Sequence, residues 1–337
     1  MTISGPLRTA FLAAALSAPL LCAAQAYEDW TVQCDNVNHC EAVGYGPDRD
    51  TAQWIAVQLV RDAGPATPVT VRIIVAGDGP GEPVDITITV DNSPPVRVRA
   101  NQPIPKEAAH KLLGRMIDGR AGVLDDGAQQ WALPLAGTKA ALLRMDALQG
   151  RLETPGALVR RGGRPEAAVP AAPAMPALRA APSADEIHDR EIEAALLAEL
   201  GPSEEGWGGH LGLYRLSNGQ ILVLLESDRG PTSSYYEAWL ANGKPPYQPR
   251  RIDLPTNGLA SDGLANADFD GQVLGSYSGR TLSDCFHVSK WLWTGSRFEL
   301  LAMHHADHCR GMLASIDNRK WVARKAPPVS PQHGQKH

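Results

Sequence analysis

Near its C-terminal end the chain carries three histidines, an aspartate and a cysteine within the six residues HHADHC, positions 304–309. Imidazole nitrogens, thiolates and carboxylates are the usual zinc ligands. If this stretch were helical, His304 and His308 would lie one turn apart on one face and could share an ion. The stretch therefore has two interpretations: a metal site, or a strand end that runs into a disulfide.

The preceding residues favour the strand. RFELLAMHH, residues 297–305, continues an alternating pattern that predicts a β-strand. The side chains predicted to share one face are Phe298, Leu300, Ala302 and His304. A strand rises about 3.3 Å per residue, which would place His304 and His308 roughly 13 Å apart, too far to share an ion. We predict no dedicated metal site here, although a surface pair of His287 with His304 or His305 across strands stays open.

A second candidate for metal binding is the loop NADFDG, residues 266–271. Asn266, Asp268 and Asp270 take the first, third and fifth places of an EF-hand-like calcium loop. The twelfth place is Tyr277, where such a loop requires a bidentate glutamate. We therefore predict a polar turn that enters a strand, with a loose calcium site as the alternative.

The sequence offers no complete catalytic motif. GSYSG, residues 275–279, is one residue out of register with a Gly-x-Ser-x-Gly nucleophile elbow, because Tyr277 takes the central place. Phosphate-binding loops, dinucleotide fingerprints and His-Glu-x-x-His motifs are absent from the sequence. Trp291 and Trp293 could stack on a sugar, but aromatic pairs on hairpins more often pack in a core. We predict no catalytic residue, no cofactor and a core role for both tryptophans.

The N-terminal residues 1–26 have the features of a secretory signal peptide, with Arg8, a short apolar run and the small-residue ending at Ala26. The run is too short to span a membrane. Cleavage would remove one basic and no acidic residue, which changes the net charge from −5 to −6. The sequence also lacks the basic patch of a nucleic-acid-binding protein. We predict a periplasmic or secreted protein with neither a membrane span nor a nucleic-acid partner.

Four cysteines remain after this cleavage, an even number that predicts two disulfides in an oxidising compartment. Three connectivities are open, and the sequence-local pairs Cys34–Cys40 and Cys285–Cys309 are favoured. Closing these loops contributes about 2.5 and 3.5 kcal/mol in the chain-entropy description of disulfides.

The elements that position these residues fall on both sides of an Ala/Pro-rich segment, residues 161–183, which we predict to be an extended linker that buries no core face. Short β-branched runs predict strands on both sides of it. The predicted fold class is α+β, with two antiparallel-sheet domains, 27–160 and 184–325, each with packed helices and one disulfide. Residues 326–337 are predicted to be a disordered tail.

Three helices are predicted. The first lies between Pro105 and Gly119 and carries an apolar stripe. The second has Thr138 as its N-cap. A capping box of Ser183 and Glu186 introduces the third.

Three stretches together resemble a known family: YEDWTVQCDNVNHCEAVGYG (27–46), LPLAGTKAALLRMDALQGRL (133–152) and LSDCFHVSKWLWTGSRFELL with the later CRGM (282–312). The chain resembles the secreted bacterial family called domain of unknown function 1176. Its opening Asp-Trp-x-x-x-Cys is also similar to invasion-associated locus B proteins, a periplasmic β-sandwich family. The resemblance implies a periplasmic location and supports the Cys285–Cys309 pair. Around the cysteine that corresponds to Cys285, family members tend to have the motif Arg-Gly-x-Gly-Asp-Cys-Gly. Residues 279–286 of this chain, GRTLSDCF, depart from that motif.

The function favoured by these features is that of a non-enzymatic envelope protein that binds a protein or cell-wall partner. Inhibition of a cationic host enzyme such as lysozyme is one version, motivated by compartment and charge. The alternative is a metal-dependent hydrolase that uses the C-terminal histidines.

Overall fold

The computed structural model describes residues 25–47, 54–76, 82–201, 209–231, 233–279, 284–310 and 316–327. The predicted signal peptide, apart from its last two residues, and the tail from residue 328 lie outside the described residues. In the described part, antiparallel sheet dominates and three α-helices accompany it.

The first half contains two sheets. One has five antiparallel strands in sequential order: β1 Gln25–Tyr27, β2 Trp30–Cys34, β3 Cys40–Tyr45, β4 Trp54–Arg61 and β5 Val69–Ala76. The other has four strands in the order β7-β6-β8-β9: β6 Asp85–Val90, β7 Val96–Arg99, β8 Gly122–Asp125 and β9 Gln130–Ala132. The four β-branched runs DWTVQC, WIAVQLV, VTVRIIV and VDITITV form β2, β4, β5 and β6, as predicted.

Helices α1, Lys106–Asp118, and α2, Thr138–Leu148, cover this half. The buried side of α1 is the predicted stripe, with Leu112, Leu113 and Met116 in the same hydrophobic cluster as the strands. The N-cap of α2 is Gly137 in a left-handed conformation, so the prediction that Thr138 caps this helix is wrong. The Thr138 hydroxyl instead donates to the carbonyl of Pro134 at 3.4 Å.

The segment 161–183 is extended, with a short 3₁₀ turn at Glu166–Ala168 and a two-residue strand, β10 Ala177–Leu178. Val169 and Ala181 are 3% and 7% exposed. Ala181 belongs to the core cluster of the second half, so the prediction that this segment buries no core face is wrong there. The amide of Ala181 donates to the carbonyl of Trp293 at 3.0 Å. Alanine and proline thus give the predicted extended path, but the chain lies against its neighbours rather than free in solvent.

The second half contains two five-stranded antiparallel sheets in sequential order. The strands of the first are β11 Asp185–Glu186, β12 Leu211–Arg215, β13 Ile221–Arg229, β14 Ser234–Ala241 and β15 Arg250–Arg251. The strands of the second are β16 Asp268–Phe269, β17 Val273–Gly279, β18 Phe286–Trp293, β19 Phe298–His305 and β20 Arg319–Val322. A last strand, β21 Arg324–Lys325, pairs in parallel with β10.

Helix α3, Arg190–Leu200, lies between β11 and β12 in the chain. Its N-cap is Asp189, whose carboxylate accepts from the amides of Glu191 and Ile192. The predicted capping box of Ser183 and Glu186 is therefore wrong, and Glu186 belongs to β11. An acidic N-cap satisfies the free amides of the first turn as well as a serine would, and the sequence contains both.

A buried polar contact joins the first sheet to β20. The carboxylate of Glu41, 3% exposed, accepts from the Asn318 amide at 3.0 Å and from the Gln58 side chain at 2.7 Å. Nearby, the Arg319 guanidinium donates to Asp35 at 2.5 Å. Residues from opposite ends of the sequence are thus held together by charge-assisted hydrogen bonds, which are stronger than neutral ones.

Candidate functional site

Three neighbouring strands bring one row of polar side chains together. Ser278 of β17 pairs with His287 of β18, and His287 pairs in turn with His305 of β19. Farther along the same face, Leu274 pairs with Trp291 and Trp291 pairs with Leu300, and all three side chains are buried in the core. The face of this sheet therefore changes from apolar to polar toward the end that carries the two histidines.

A β-bulge decides which histidine joins this row. Lys290 pairs with Ala302, whereas the next residue, Trp291, pairs with Leu300, so Leu301 is an extra residue in β19. A bulge shifts the alternation of side chains by one residue. Met303 consequently packs in the core cluster with Phe298 and Leu300. The predicted shared face of Phe298, Leu300, Ala302 and His304 is wrong beyond Leu300.

His287, His305 and Asp262 form a cluster in which one potential metal-ligating atom of each residue, an imidazole nitrogen or a carboxylate oxygen, lies within 4.8 Å of the others. The Nδ1 atoms of the two histidines are 2.5 Å apart. The Asp262 Oδ2 atom lies 3.2 Å from His287 Nδ1. Both rings are partly buried and the carboxylate is more exposed, so the cluster is open to solvent on the Asp262 side.

Asp262 reaches the cluster from a loop that is anchored to β17. The buried Ser276 hydroxyl donates to the carbonyl of Gly263 and accepts from the amide of Ala265, at 3.2 and 2.9 Å. The Ser278 hydroxyl donates to Asp262 Oδ2 at 3.1 Å. This loop follows a different sheet in the sequence, so no local pattern links Asp262 to the histidines, and sequence reasoning missed it.

The arrangement fits a tetrahedral metal ion with small adjustments. Metal–nitrogen distances of about 2.0–2.1 Å separate two ligand atoms by about 3.3 Å in a tetrahedron. The Asp262–His287 distance of 3.2 Å already has this value. The histidine pair, at 2.5 Å, has to open by about 0.8 Å.

The outer nitrogen of His305 has a carboxylate partner. His305 Nε2 lies 3.4 Å from Asp307 Oδ1, and Lys320 Nζ donates to Asp307 Oδ2 at 2.5 Å. Burial of the His305 ring lowers its pKa, and the charge of His287 lowers it further. The neutral ring, which has a free lone pair for a metal, is therefore favoured at neutral pH.

The other histidines of the HHADHC stretch lie outside the cluster. His304 points to the opposite side, where its Nδ1 atom is 3.0 Å from Asp317 Oδ1. Burial opposes protonation of His304, but the hydrogen bonds that its ring donates to Asp317 outweigh this effect and raise the pKa of His304. His308 is exposed and follows the end of β19. The strand that we predicted through residue 305 is present, and His304 and His308 do not share a site.

A disulfide closes the end of the hairpin that carries the two site histidines. Cys285 precedes β18, Cys309 follows β19, and the structure joins them. Cys34 and Cys40 are joined across β2 and β3 in the same way. The sequence-local pairs favoured above are therefore the ones present.

The calcium-like loop is used as a hairpin turn. The Asp270 carboxylate accepts from the amides of Gln272 and Val273 at 2.8 and 2.7 Å. Asn266 Oδ1 accepts from the Ser234 amide at 3.0 Å. Asp268 lies in β16. Within the described residues, neither Asp268 nor Asp270 belongs to a cluster of potential metal ligands. The side-chain oxygens of Asn266 and Asp270 accept from backbone amides.

The remaining sequence candidates have structural roles. Ser278 donates to a carboxylate rather than to a histidine, so it lacks the base of an activated nucleophile. Trp291 and Trp293 are at most 1% exposed, and their indole nitrogens donate to Pro255 and Ser217. The predicted core role of both tryptophans is confirmed.

A groove of about 1030 Å³ lies on the first half, beside α1. Its apolar lining includes Val69, Leu113, Ile117, Leu158 and Val159. Its charged lining is mixed, with Lys106, Lys111 and Arg161 beside Glu107, Asp118 and Glu166. No helix in the described part of the chain is both long and apolar enough to cross a membrane.

Fold and cluster together define a disulfide-bonded, sheet-dominated protein with two histidines and an aspartate gathered at one sheet end. The chain belongs to the family described as "Protein of unknown function (DUF1176)", whose model matches residues 24–324. It is also similar to "Uncharacterized protein YpfG" of Escherichia coli (strain K12), with 28% identity over 310 residues, covering 83% of this chain and 86% of that protein. No solved structure matches.

Proposed function

We propose that this protein is a non-enzymatic protein of the bacterial envelope that binds a divalent transition-metal ion of the zinc class. The observation that supports it is the convergence of Asp262, His287 and His305. Two imidazoles and one carboxylate suit zinc, copper or nickel rather than calcium, which takes six to eight oxygen ligands. The predicted export, with cleavage after Ala26, and the two disulfides support the envelope location.

A zinc titration tests the metal proposal directly. We expect one zinc ion per chain with a dissociation constant below about 1 µM, which corresponds to about −8 kcal/mol. His333 and His337 are replaced by glutamine in all variants, because tail histidines bind zinc adventitiously. In His305→Ala and His287→Ala, affinity is expected to fall by at least about 100-fold, the upper end of the losses seen when outer partners of metal ligands are removed.

Two histidine variants control this experiment. His188→Ala removes an exposed histidine beside Glu186, and His304→Gln removes the histidine on the opposite side of the sheet. Both are expected to bind zinc as the parent does. Absence of stoichiometric binding, or equal binding by His305→Ala and the parent, contradicts the metal proposal and leaves the two histidines as a hydrogen-bonded pair.

The second candidate function is that of a metal-dependent hydrolase, and the number of protein ligands in the proposed metal site is the observation in its favour. Three protein ligands leave a fourth position for water, as in hydrolytic zinc sites. Zinc-loaded protein that hydrolyses an activated ester or a cell-wall peptide, with activity lost in His305→Ala, would support the enzyme. Zinc binding without turnover supports the non-enzymatic protein.

A protein or cell-wall partner is part of the proposal and is most naturally placed in the groove beside α1. An apolar lining that also carries both basic and acidic side chains suits an amphipathic ligand of mixed charge. Pull-down from periplasmic extract with and without chelator separates the two surfaces: a partner retained in chelator binds independently of the metal site. A lysozyme turbidity assay at micromolar protein tests the inhibitor version.

The division into domains 27–160 and 184–325 also remains a proposal. Separate hydrophobic clusters in the two halves support it, although a small third cluster includes Ile316 beside Val43. Cleavage within 161–183 is expected to give two fragments that stay folded when separated, each with a cooperative unfolding transition in denaturant. Fragments that lose their structure upon separation would argue for a single folding unit.

A further inference from the structure

We propose that Asp307 is a positioning residue for the metal site: it holds the His305 ring so that Nδ1 faces the ion, and Lys320 holds Asp307. This inference rests on the proposed metal function. It concerns Asp307 and Lys320, which are not among the three proposed metal ligands. The structure describes both contacts on which it depends, His305 with Asp307 and Asp307 with Lys320.

His305 uses its two nitrogens differently. Nδ1 faces His287, and Nε2 faces Asp307 Oδ1 at 3.4 Å. A neutral imidazole carries one N–H, and the carboxylate accepts it only when the proton is on Nε2. The lone pair then lies on Nδ1, toward Asp262 and His287. Metal-bound histidines commonly donate their other N–H to a carboxylate, which fixes the ring and makes it more basic.

Asp307 is itself fixed by a buried lysine. The side chain of Lys320 is 5% exposed, and Nζ lies 2.5 Å from Asp307 Oδ2. The same Nζ donates to Gln33 Oε1 in β2 at 2.5 Å. A buried ammonium group requires a counter-charge, so Lys320 holds the carboxylate in place. The orientation of His305 therefore depends on an ion pair anchored on the first sheet.

The structure contains a matched comparison for this arrangement. Asp317 is paired with His304 at 3.0 Å on the opposite side of the same strand. It is a histidine–carboxylate pair of the same chemistry, only one residue away along β19, but His304 does not belong to the cluster of Asp262, His287 and His305. If Asp307 acts only through general charge near the site, Asp317 should have a similar effect. If it acts through His305, only Asp307 matters.

The experiment measures zinc affinity and the visible spectrum of the cobalt-substituted protein for Asp307→Asn, Asp307→Glu and Asp317→Asn, with the tail histidines replaced. Asp307→Asn is expected to weaken zinc binding about 10–100-fold. Its tetrahedral cobalt bands are expected to remain, because the three ligands are still present. Asp307→Glu is expected to recover part of the affinity, and Asp317→Asn to bind as the parent does.

Asp307→Asn is also expected to lower the stability of the fold, because the neutral amide would leave the buried lysine without its counter-charge. A second variant separates this loss of stability from the loss of zinc affinity. Lys320→Met together with Asp307→Asn removes that buried charge and is expected to restore the unfolding midpoint but not the zinc affinity. Restoration of affinity by this double variant would show a merely structural role and overturn the inference. Unchanged affinity in Asp307→Asn, with loss in His305→Ala, overturns it while the metal proposal stands. If the parent itself binds no zinc, the metal proposal fails first.

Discussion

Replacement of Asp146 by alanine is expected to lower the free energy of unfolding by about 3–5 kcal/mol, the usual cost of removing one partner from a buried ion pair. Asp146 lies on α2 and is fully buried. Its Oδ2 atom accepts from the amides of Leu158 and Val159 at 2.7 and 3.1 Å. Alanine would leave both amides without this acceptor, and buried donors without partners are costly.

The other oxygen of Asp146 faces a buried cation. Oδ1 lies 3.6 Å from Arg61 Nη1, and neither atom has a hydrogen-bond partner in the described structure. Burial lowers the pKa of Arg61 to about 10, and the charge of Arg151 contributes. Arg61 therefore stays charged at neutral pH, and loss of Asp146 removes its nearest counter-charge.

Chemical unfolding of a double-mutant cycle separates these two contributions. Asp146→Asn keeps an oxygen for the two amides and should cost less than alanine. Adding Arg61→Met to Asp146→Asn removes the isolated cation, so the double variant should be more stable than the sum of the single losses predicts. A loss below about 1 kcal/mol in Asp146→Ala would mean that the carboxylate contributes little in this setting.

The strands could be predicted from the sequence because β-branched alternation and turn dipeptides are local signals. Asn218 and Gly219, for example, form the turn between β12 and β13. Helix starts were harder, because several residues can cap a helix. Thr138 and Ser183 are good caps by type, yet Gly137 and Asp189 take these positions, since the backbone conformation at each helix start decides which candidate caps it.

The site was predictable only in part. A cross-strand pair of His287 with His304 or His305 follows from two adjacent strands, but the bulge at Leu301 decides between them. One extra residue reverses every side chain beyond it, and the sequence contains no turn residue that marks its position. Asp262 and Lys320 reach the cluster through loop placement and the pairing of β19 with β20, which are tertiary features without a local signature.

Replacement of Trp30 by alanine is expected to lower the free energy of unfolding by about 3–5 kcal/mol, the range for removal of a large buried aromatic side chain. Trp30 is fully buried in the main cluster of the first half. Its indole nitrogen donates to the carbonyl of Pro134 at 3.1 Å, which connects β2 to the residues before α2. Alanine would lose this bond and leave a cavity.

Gly44 provides the control. This residue of β3 pairs with Trp30 of β2, and the indole ring covers it. A Cβ atom on Gly44 would lie 2.4 Å from Trp30 Cε2, closer than atoms can pack. Gly44→Ala is therefore expected to cost about 1–3 kcal/mol in the parent, as overpacked cores do. In the Trp30→Ala background the ring is absent, and the added methyl group fills part of the cavity. The same substitution should then be neutral or stabilising when unfolding by denaturant is measured, and an equal cost in both backgrounds would contradict the packing of Trp30 on Gly44.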